Sequence, residues 1–213
     1  MRNILIYIIL FFGIINTVLG EEISFPKGQS CVAWKTDKTL IVVNKQSPVG
    51  LNCKIELKID QSKLGYKFEG KFPISNFNSN QEMRDNEVRK LLEEEIQPNL
   101  IFISNLISFS EWTQKKNTNF ELKGIFRKGN RDFNLTFQVT REIQNGTGVW
   151  KGMTKTKFSE LGMVPPKVAF GIVTSVNDDL ELHFQFIESE IPILSVEPEI
   201  WKETNSNGYE TVF

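Results

Sequence analysis

The chain contains one histidine, two cysteines and no surplus of either charge, with 25 basic against 26 acidic residues. Even charge removes the basic footprint by which a protein grips nucleic acid or an anionic surface, so no nucleic-acid partner is expected. The lone histidine, His183, would have to serve any Ser-His-Asp or Cys-His centre. It would also be the only imidazole for a zinc site, where two or three are usual. In "LELHFQF" it alternates with Leu182 and Phe184, which puts it on the other face of a strand with Glu181 and Gln185. No catalytic residue and no metal ligand is therefore assigned. Carboxylate-pair chemistry is not removed by counting acids. The two acidic clusters, however, read as scaffold: Glu93, Glu94 and Glu95 as a solvated helix end, Asp178 and Asp179 as a turn between strands.

What is present begins at the N-terminus. "MRNILIYIILFFGIINTVLG" sets Arg2 ahead of an apolar run from Ile4 to Ile15 and ends on Val18 and Gly20, small enough for a cleavage site. The run falls short of the ~20 residues of a membrane span. Residues 1–20 are expected to be a signal peptide and Glu21 the first mature residue, an uncleaved anchor being the alternative. The protein is expected to be exported, to a periplasm or cell envelope or into the medium. There the default for Cys31 and Cys53, which lack C-x-x-C spacing, is a structural disulfide. On the chain-entropy model, closing that loop stabilises the fold by about 3 kcal/mol.

The mature chain alternates apolar and polar residues in short runs. "CVAWKT" and "TLIVVN" flank "DK", which reads as a tight connection, and "CKIELKID" places Ile55, Leu57 and Ile59 on one face. "YKFEGKFPI" does the same with Tyr66, Phe68, Gly70, Phe72 and Ile74. "NFNSNQEMRDNEVRKLLEEE" then reads as a helix. Asn78, Ser79 or Asn80 is placed to cap it, Asp85 and Arg89 to pair, and Val88, Leu91 and Leu92 form an apolar stripe ended by Pro98.

Strands resume with "NLIFISNLI" (Leu100, Phe102, Ser104, Leu106), "NFELKGIF" (Phe120, Leu122, Gly124) and "DFNLTFQVT" (Phe133, Leu135, Phe137, Val139). "QNGTG" carries the Asn-Gly signal of a hairpin into "VWKGMTKTKF". "VAFGIVTSV" and "LELHFQFIE" are joined by "NDD", and the tail beyond Glu190 is expected to lie over the surface or fray. "NLT" at Asn134 and "NGT" at Asn145 match the glycosylation pattern.

Strands with one wet and one apolar face imply an all-β domain, and closing such a sheet removes its edges. An antiparallel barrel is the expected architecture, with a β-sandwich as the runner-up. The aromatic face (Tyr66, Phe68, Phe72, Phe102, Phe120, Phe133, Phe137, Phe184, Phe186) suits either a packed core or a ligand cavity. Gly70, Ser104 and Gly124 on the same face favour the cavity by leaving room beside the rings.

Four blocks in order carry a more specific signal. They are "FPISNFNSNQEMRDNEVRKLLEEEIQPNLIFIS", "LKGIFRKGNRDFNLTFQVT", "KTKFSELGMVPPKVAFGIV" and "DDLELHFQFIE". In order and spacing the chain resembles the YceI-like family of exported polyisoprenoid-binding proteins, over roughly Leu51 to Glu188. The resemblance implies an extended antiparallel lipocalin-like β-barrel with one helical excursion, spanning residues 21–190 and followed by a tail at 191–213. It implies no enzymatic activity and no required cofactor, only a bound isoprenoid quinone or polyprenyl lipid as the apolar ligand. The implied channel wall is Phe68, Phe102, Leu106, Leu122, Phe137, Leu182, Phe184 and Phe186, to which the periodicity adds Tyr66. Transient membrane contact and a homodimer are both compatible with it.

The chain departs from the family pattern at Ile125-Phe126-Arg127, which lacks a histidine common there, and at Ile101 and Ile103, where polar residues are common. The competing reading is an envelope interaction or stress protein with a filled barrel that meets a partner through the Ile101/Ile103 face. N-terminal sequencing of the exported protein is expected to begin at Glu21; a chain beginning at residue 1 would identify an anchor instead.

Overall fold

The structure is a computed structural model that describes residues 23–40, 44–115, 118–169 and 173–195. The expected signal peptide, its cleavage point at Glu21 and the tail past residue 195 lie outside the described residues. The elements run β1 (Cys31–Leu40), β2 (Asn44–Gln46), β3 (Val49–Asn52), β4 (Glu56–Ser62), β5 (Gly65–Pro73), α1 (Glu82–Leu91), β6 (Asn99–Ser104) and α2 (Phe109–Lys115). There follow β7 (Phe120–Lys128), β8 (Arg131–Gln144), β9 (Thr147–Lys157), β10 (Lys167–Ala169), β11 (Val173–Ile187) and β12 (Ile193–Ser195). The strands make one 12-stranded sheet on the path β12-β4-β5-β6-β7-β8-β9-β11-β1-β2, with β3 on β1 and β10 on β11. Pairing is antiparallel except between β12 and β4. This is the expected all-β, lipocalin-like architecture.

Register follows from the period-2 pattern. Phe102 sits opposite Phe126, Leu122 opposite Phe137, and Leu182 opposite Trp34 and Thr154, so the apolar faces coincide from strand to strand. The resulting core holds Leu100, Phe102, Leu122, Phe126, Phe137, Leu180, Phe184 and Phe186. The Asn145–Gly146 turn has φ of 50° and 80°, the two left-handed residues of the hairpin that the dipeptide predicts.

The curled sheet closes at β3. One side of β3 pairs with β1, Trp34 opposite Gly50. Its other side meets the segment that continues from β5, through Leu51 N–H to Asn78 O and Asn78 N–H to Leu51 O, both 2.9 Å. The Cys31–Cys53 disulfide staples the end of this junction across a separation of 22 residues. Asn52, 1 % exposed, donates its side-chain amide to Pro73 O at 2.9 Å, tying β3 to the end of β5. The chain then crosses directly into β4, so β3 and β4 act as one interrupted strand shared between the two ends of the sheet.

Several local expectations are corrected. Asp37-Lys38 is not a turn: β1 runs through it, with a register shift between Thr36 and Lys38. "NDD" is likewise inside the continuous β11, where Asp178 accepts from the amide and hydroxyl of Ser159 at 3.0 and 2.6 Å. At the register shift Asp37 likewise accepts the hydroxyl of Ser47 at 2.6 Å, so these acids bond a neighbouring loop while the strand runs on. A second helix, α2, follows β6, so the helical excursion is not alone. It begins with a capping box in which Ser108 donates its N–H and hydroxyl to Glu111, each at 2.9 Å. Residues 193–195, expected in a surface tail, form β12 instead, with Pro192 O accepting the amide of Ile59 at 2.9 Å.

Helix α1 carries Glu82 and Asp85 in its first turn and Arg89 and Lys90 in its last, matching the helix dipole. Ser79 does not cap it by accepting. Its N–H and hydroxyl instead donate to Asp85 Oδ1 at 2.9 and 2.6 Å, and this occupies the carboxylate expected to pair with Arg89. Leu92 is buried in the barrel core and Val88 and Leu91 pack against it, as the apolar stripe predicts. The helix ends at Glu93, whose φ of 63° is a left-handed value that L residues adopt at a cost of about 1–2 kcal/mol. Glu95 is exposed as expected, but Glu93 is engaged: it accepts from Lys128 Nζ at 2.8 Å and from Arg131. Lys128 is 0 % exposed, so this pair anchors the helix end to the β7–β8 turn. The Lys128 hydrogen bond holds the Glu93 carboxyl below its ordinary range, against a smaller opposing effect of burial.

Glu93→Gln leaves a buried ammonium without its counter-charge and is expected to cost about 3–5 kcal/mol at neutral pH. Because the folded pKa is depressed, that contribution is complete above the unfolded value of about 4.3 and is lost as pH falls through the folded value. Urea unfolding at pH 7 and near pH 3 checks this: the gap between wild type and variant should shrink in acid, and an unchanged gap would refute the assignment.

Candidate functional site

The inward face of the barrel encloses a cavity of about 800 Å³. Within the range of about 300–1,000 Å³ usual for small-molecule sites, this is large. Its wall is built from β1 (Val32, Trp34), β5 (Phe68, Phe72), β6 (Leu100, Phe102), β7 (Leu122, Phe126), Phe137 of β8 and β11 (Leu180, Leu182, Phe184, Phe186). The exposed residues that line it, Gln81, Met83, Asn86, Glu87 and Lys90, all belong to or adjoin α1. The opening therefore lies along that helix, faced by Phe158, Leu161, Met163 and Pro166 from the β9–β10 connection. At the other end α2 lies across the barrel. Trp112 stacks on Trp150 at 5.6 Å and Tyr66 packs against Phe109 and Trp112 at 5.1 and 5.3 Å.

Of the wall residues named from sequence, Phe68, Phe102, Leu122, Phe137, Leu182, Phe184 and Phe186 lie in the cavity wall. Two lie elsewhere. Tyr66 belongs to the aromatic cluster under α2. Leu106 is 42 % exposed, because β6 ends at Ser104 and the alternation ends with it. Ile107 takes the inward place, its backbone exchanging hydrogen bonds with Tyr66 at 2.8 and 2.9 Å. Sequence reasoning passed over Val32 and Trp34, which lie on an N-terminal strand with little family likeness, and Leu161 and Met163, which lie in a loop without periodicity. Phe126 was findable, since it continues the Phe120, Leu122, Gly124 face.

The small residues do not leave the gap expected of them. A Cβ on Gly70 would lie 2.4 Å from the Phe72 ring, one on Gly124 2.7 Å from Phe102, and one on Gly152 2.1 Å from Phe184. Each glycine is thus the seat of a neighbouring ring. Ser104 fills its own space by accepting the Phe68 amide and donating to Asn105 O, both at 2.9 Å. The cavity arises between these seated rings, with Phe184 and Phe186 stacked at 4.3 Å and Phe68 on Phe186 at 5.4 Å.

Polar groups are scarce at the wall. Thr36 donates its hydroxyl to Asp179 O at 2.9 Å. His183 bonds Glu181 at 3.1 Å, and burial pushes its pKa down against the pull of that carboxylate. Gln185, on the same outward face, is buried because the segment just before β1 covers it, with Pro26 O and Gln29 O accepting its amide. The acids that might have served hydrolysis are engaged, Glu93 by Lys128 and Arg131 and Asp178 by Ser159.

The geometry is that of a hollow barrel: a large apolar cavity, one rim of mixed polarity, and few polar groups within. Among solved structures, Burkholderia cenocepacia BcnA shares this fold, with a TM-score of 0.54 and 12% identity over 74% of this chain and 95% of that one. A polyisoprenoid binding domain from Saccharophagus degradans, implicated in plant cell wall breakdown, matches with the same TM-score at 7% identity, again over 74% and 95%. The chain matches no protein-family model, and no curated protein matches it by sequence. The fold implied by the YceI-like resemblance is thus the fold observed.

Gly152→Ala tests the seating of the rings. The added methyl displaces Phe184 from its stack on Phe186, and urea unfolding should show a loss of about 1–3 kcal/mol with weakened near-ultraviolet aromatic dichroism. Unchanged stability and dichroism would show that the ring does not depend on its glycine.

Proposed function

We propose that the protein binds an apolar isoprenoid-type lipid, a quinone or polyprenyl chain, inside the barrel without chemical conversion, as an exported carrier or sensor. The observation that carries this reading is the cavity of about 800 Å³ with its wall of Phe, Leu and Val. Every 100 Å² of apolar chain buried there contributes about 2.5 kcal/mol before the cost of association. The likeness in fold to a polyisoprenoid binding domain supports the ligand class. An open hollow also weighs against a filled-barrel interaction protein.

Export is supported by the sequence of residues 1–20 and by the Cys31–Cys53 disulfide, a bond that persists in oxidising compartments. No helix among the described residues is long and apolar enough to cross a membrane. Met83 and Val164, 64 % and 73 % exposed, stand on the two sides of the opening and suit a transient contact with a lipid surface during loading.

Organic extraction of the purified, exported protein followed by mass spectrometry is expected to recover a prenyl lipid near one equivalent. No recovered lipid, together with no uptake of added ubiquinone or polyprenol by the extracted protein, would overturn the proposal.

A further inference from the structure

The rim of the cavity carries a charge that the rest of the site does not balance. Arg84, in the first half of α1, lines the cavity and is half-buried. Its guanidinium donates from Nη2 to Gln81 Oε1 at 2.7 Å. Among the described residues no carboxylate lies within ion-pairing distance of it. Of the carboxylates nearby in sequence, Asp85 is committed to the amide and hydroxyl of Ser79 and Glu87 to Lys90 at 2.9 Å, while Glu82 is exposed at the start of the helix and makes no ion pair with Arg84. Burial lowers the Arg84 pKa, partly offset by the Asp85 charge. Arginine stays charged at any physiological pH and offers a planar fork of donors that matches carboxylate and phosphate oxygens. Most of that fork is unused.

An apolar tunnel with one uncompensated cation at its mouth is complementary to an amphiphile of opposite polarity arrangement. Resting on the lipid-binding reading above, we propose that Arg84 receives the anionic head group, phosphate or carboxylate, of a lipid whose chain lies along the cavity. This selects acidic amphiphiles over neutral ones of the same chain and sets their direction. The head stays at the α1 rim, where water completes the solvation of its remaining oxygens, and the chain runs past Leu182 and Phe102 toward Phe186. A neutral quinone or alcohol would fill the same tunnel and leave the guanidinium unmatched.

The test uses the full mature chain after lipid extraction, titrated with geranylgeranyl monophosphate, geranylgeraniol, palmitate and methyl palmitate. Trp34 in the wall reports occupancy by fluorescence. Geranylgeranyl monophosphate is expected to bind about tenfold or more tightly than geranylgeraniol, or palmitate than its methyl ester. Whichever pair shows the preference identifies a prenyl phosphate or a fatty acid as the source of the anion. Arg84→Gln should remove the preference, Arg84→Lys should keep part of it, and unfolding curves of both variants should overlay that of the wild type. Equal binding of charged and neutral partners, or a preference that survives in Arg84→Gln, overturns this assignment while leaving lipid binding standing. Failure of all four compounds to bind overturns both.

Discussion

The architecture depends on how the sheet is closed. A curled sheet with an apolar inner face must manage its two ends, since an open seam admits water to the hollow and leaves strand edges unpaired. Here β3 serves both ends, pairing with β1 on one side and with Asn78 on the other. The disulfide and the buried Asn52 amide hold that shared strand where its pairing is shortest. With the seam held covalently and by hydrogen bonds, the interior need not be filled by side chains to keep the barrel standing. A hollow of this size becomes tolerable for that reason.

Within the closed sheet, shape is controlled by pairs of glycine and aromatic residues. Gly70 leaves room for Phe72, Gly124 for Phe102 and Gly152 for Phe184, so each ring closes against backbone where a Cβ would collide with it. The helix α1 completes the wall on one side and is tied down at both ends, by the Ser79–Asp85 bonds and by the Glu93–Lys128–Arg131 cluster. The buried charges Asp85 and Lys128 are thus structural, whereas Arg84 at the rim has no carboxylate partner among the described residues.

Much of the barrel was legible in the sequence because burial on one face imposes a period of two. The alternations from Tyr66 to Ile74, Phe133 to Val139 and Leu180 to Phe186 could be read directly, as could the Asn145–Gly146 turn. The errors fall where a local signal was overridden by context. Asp37-Lys38 and Asn177-Asp178-Asp179 have turn chemistry, but long-range pairing of β1 with β11 carries both strands through them. Leu106 followed the alternation on paper, yet the strand had already ended at Ser104. The closing bridge at Asn78 and the ring seats depend on contacts between distant segments, which no local pattern encodes. Seven of the nine wall residues inferred from the strand pattern and the YceI-like resemblance do lie at the cavity, as their strands are long and regular.

The stack of Trp112 on Trp150 beneath α2 has a kinetic meaning. A barrel open at both ends could pass a long molecule through like thread through a bead, releasing one end as the other enters. With α2 and its ring contacts lying over the base, the proposed lipid would leave by the entrance. Every methylene drawn back into water raises the exit barrier by about 0.8 kcal/mol, close to fourfold in rate. For the lipid proposed above, residence time would therefore grow steeply with chain length, long chains leaving more slowly than short ones.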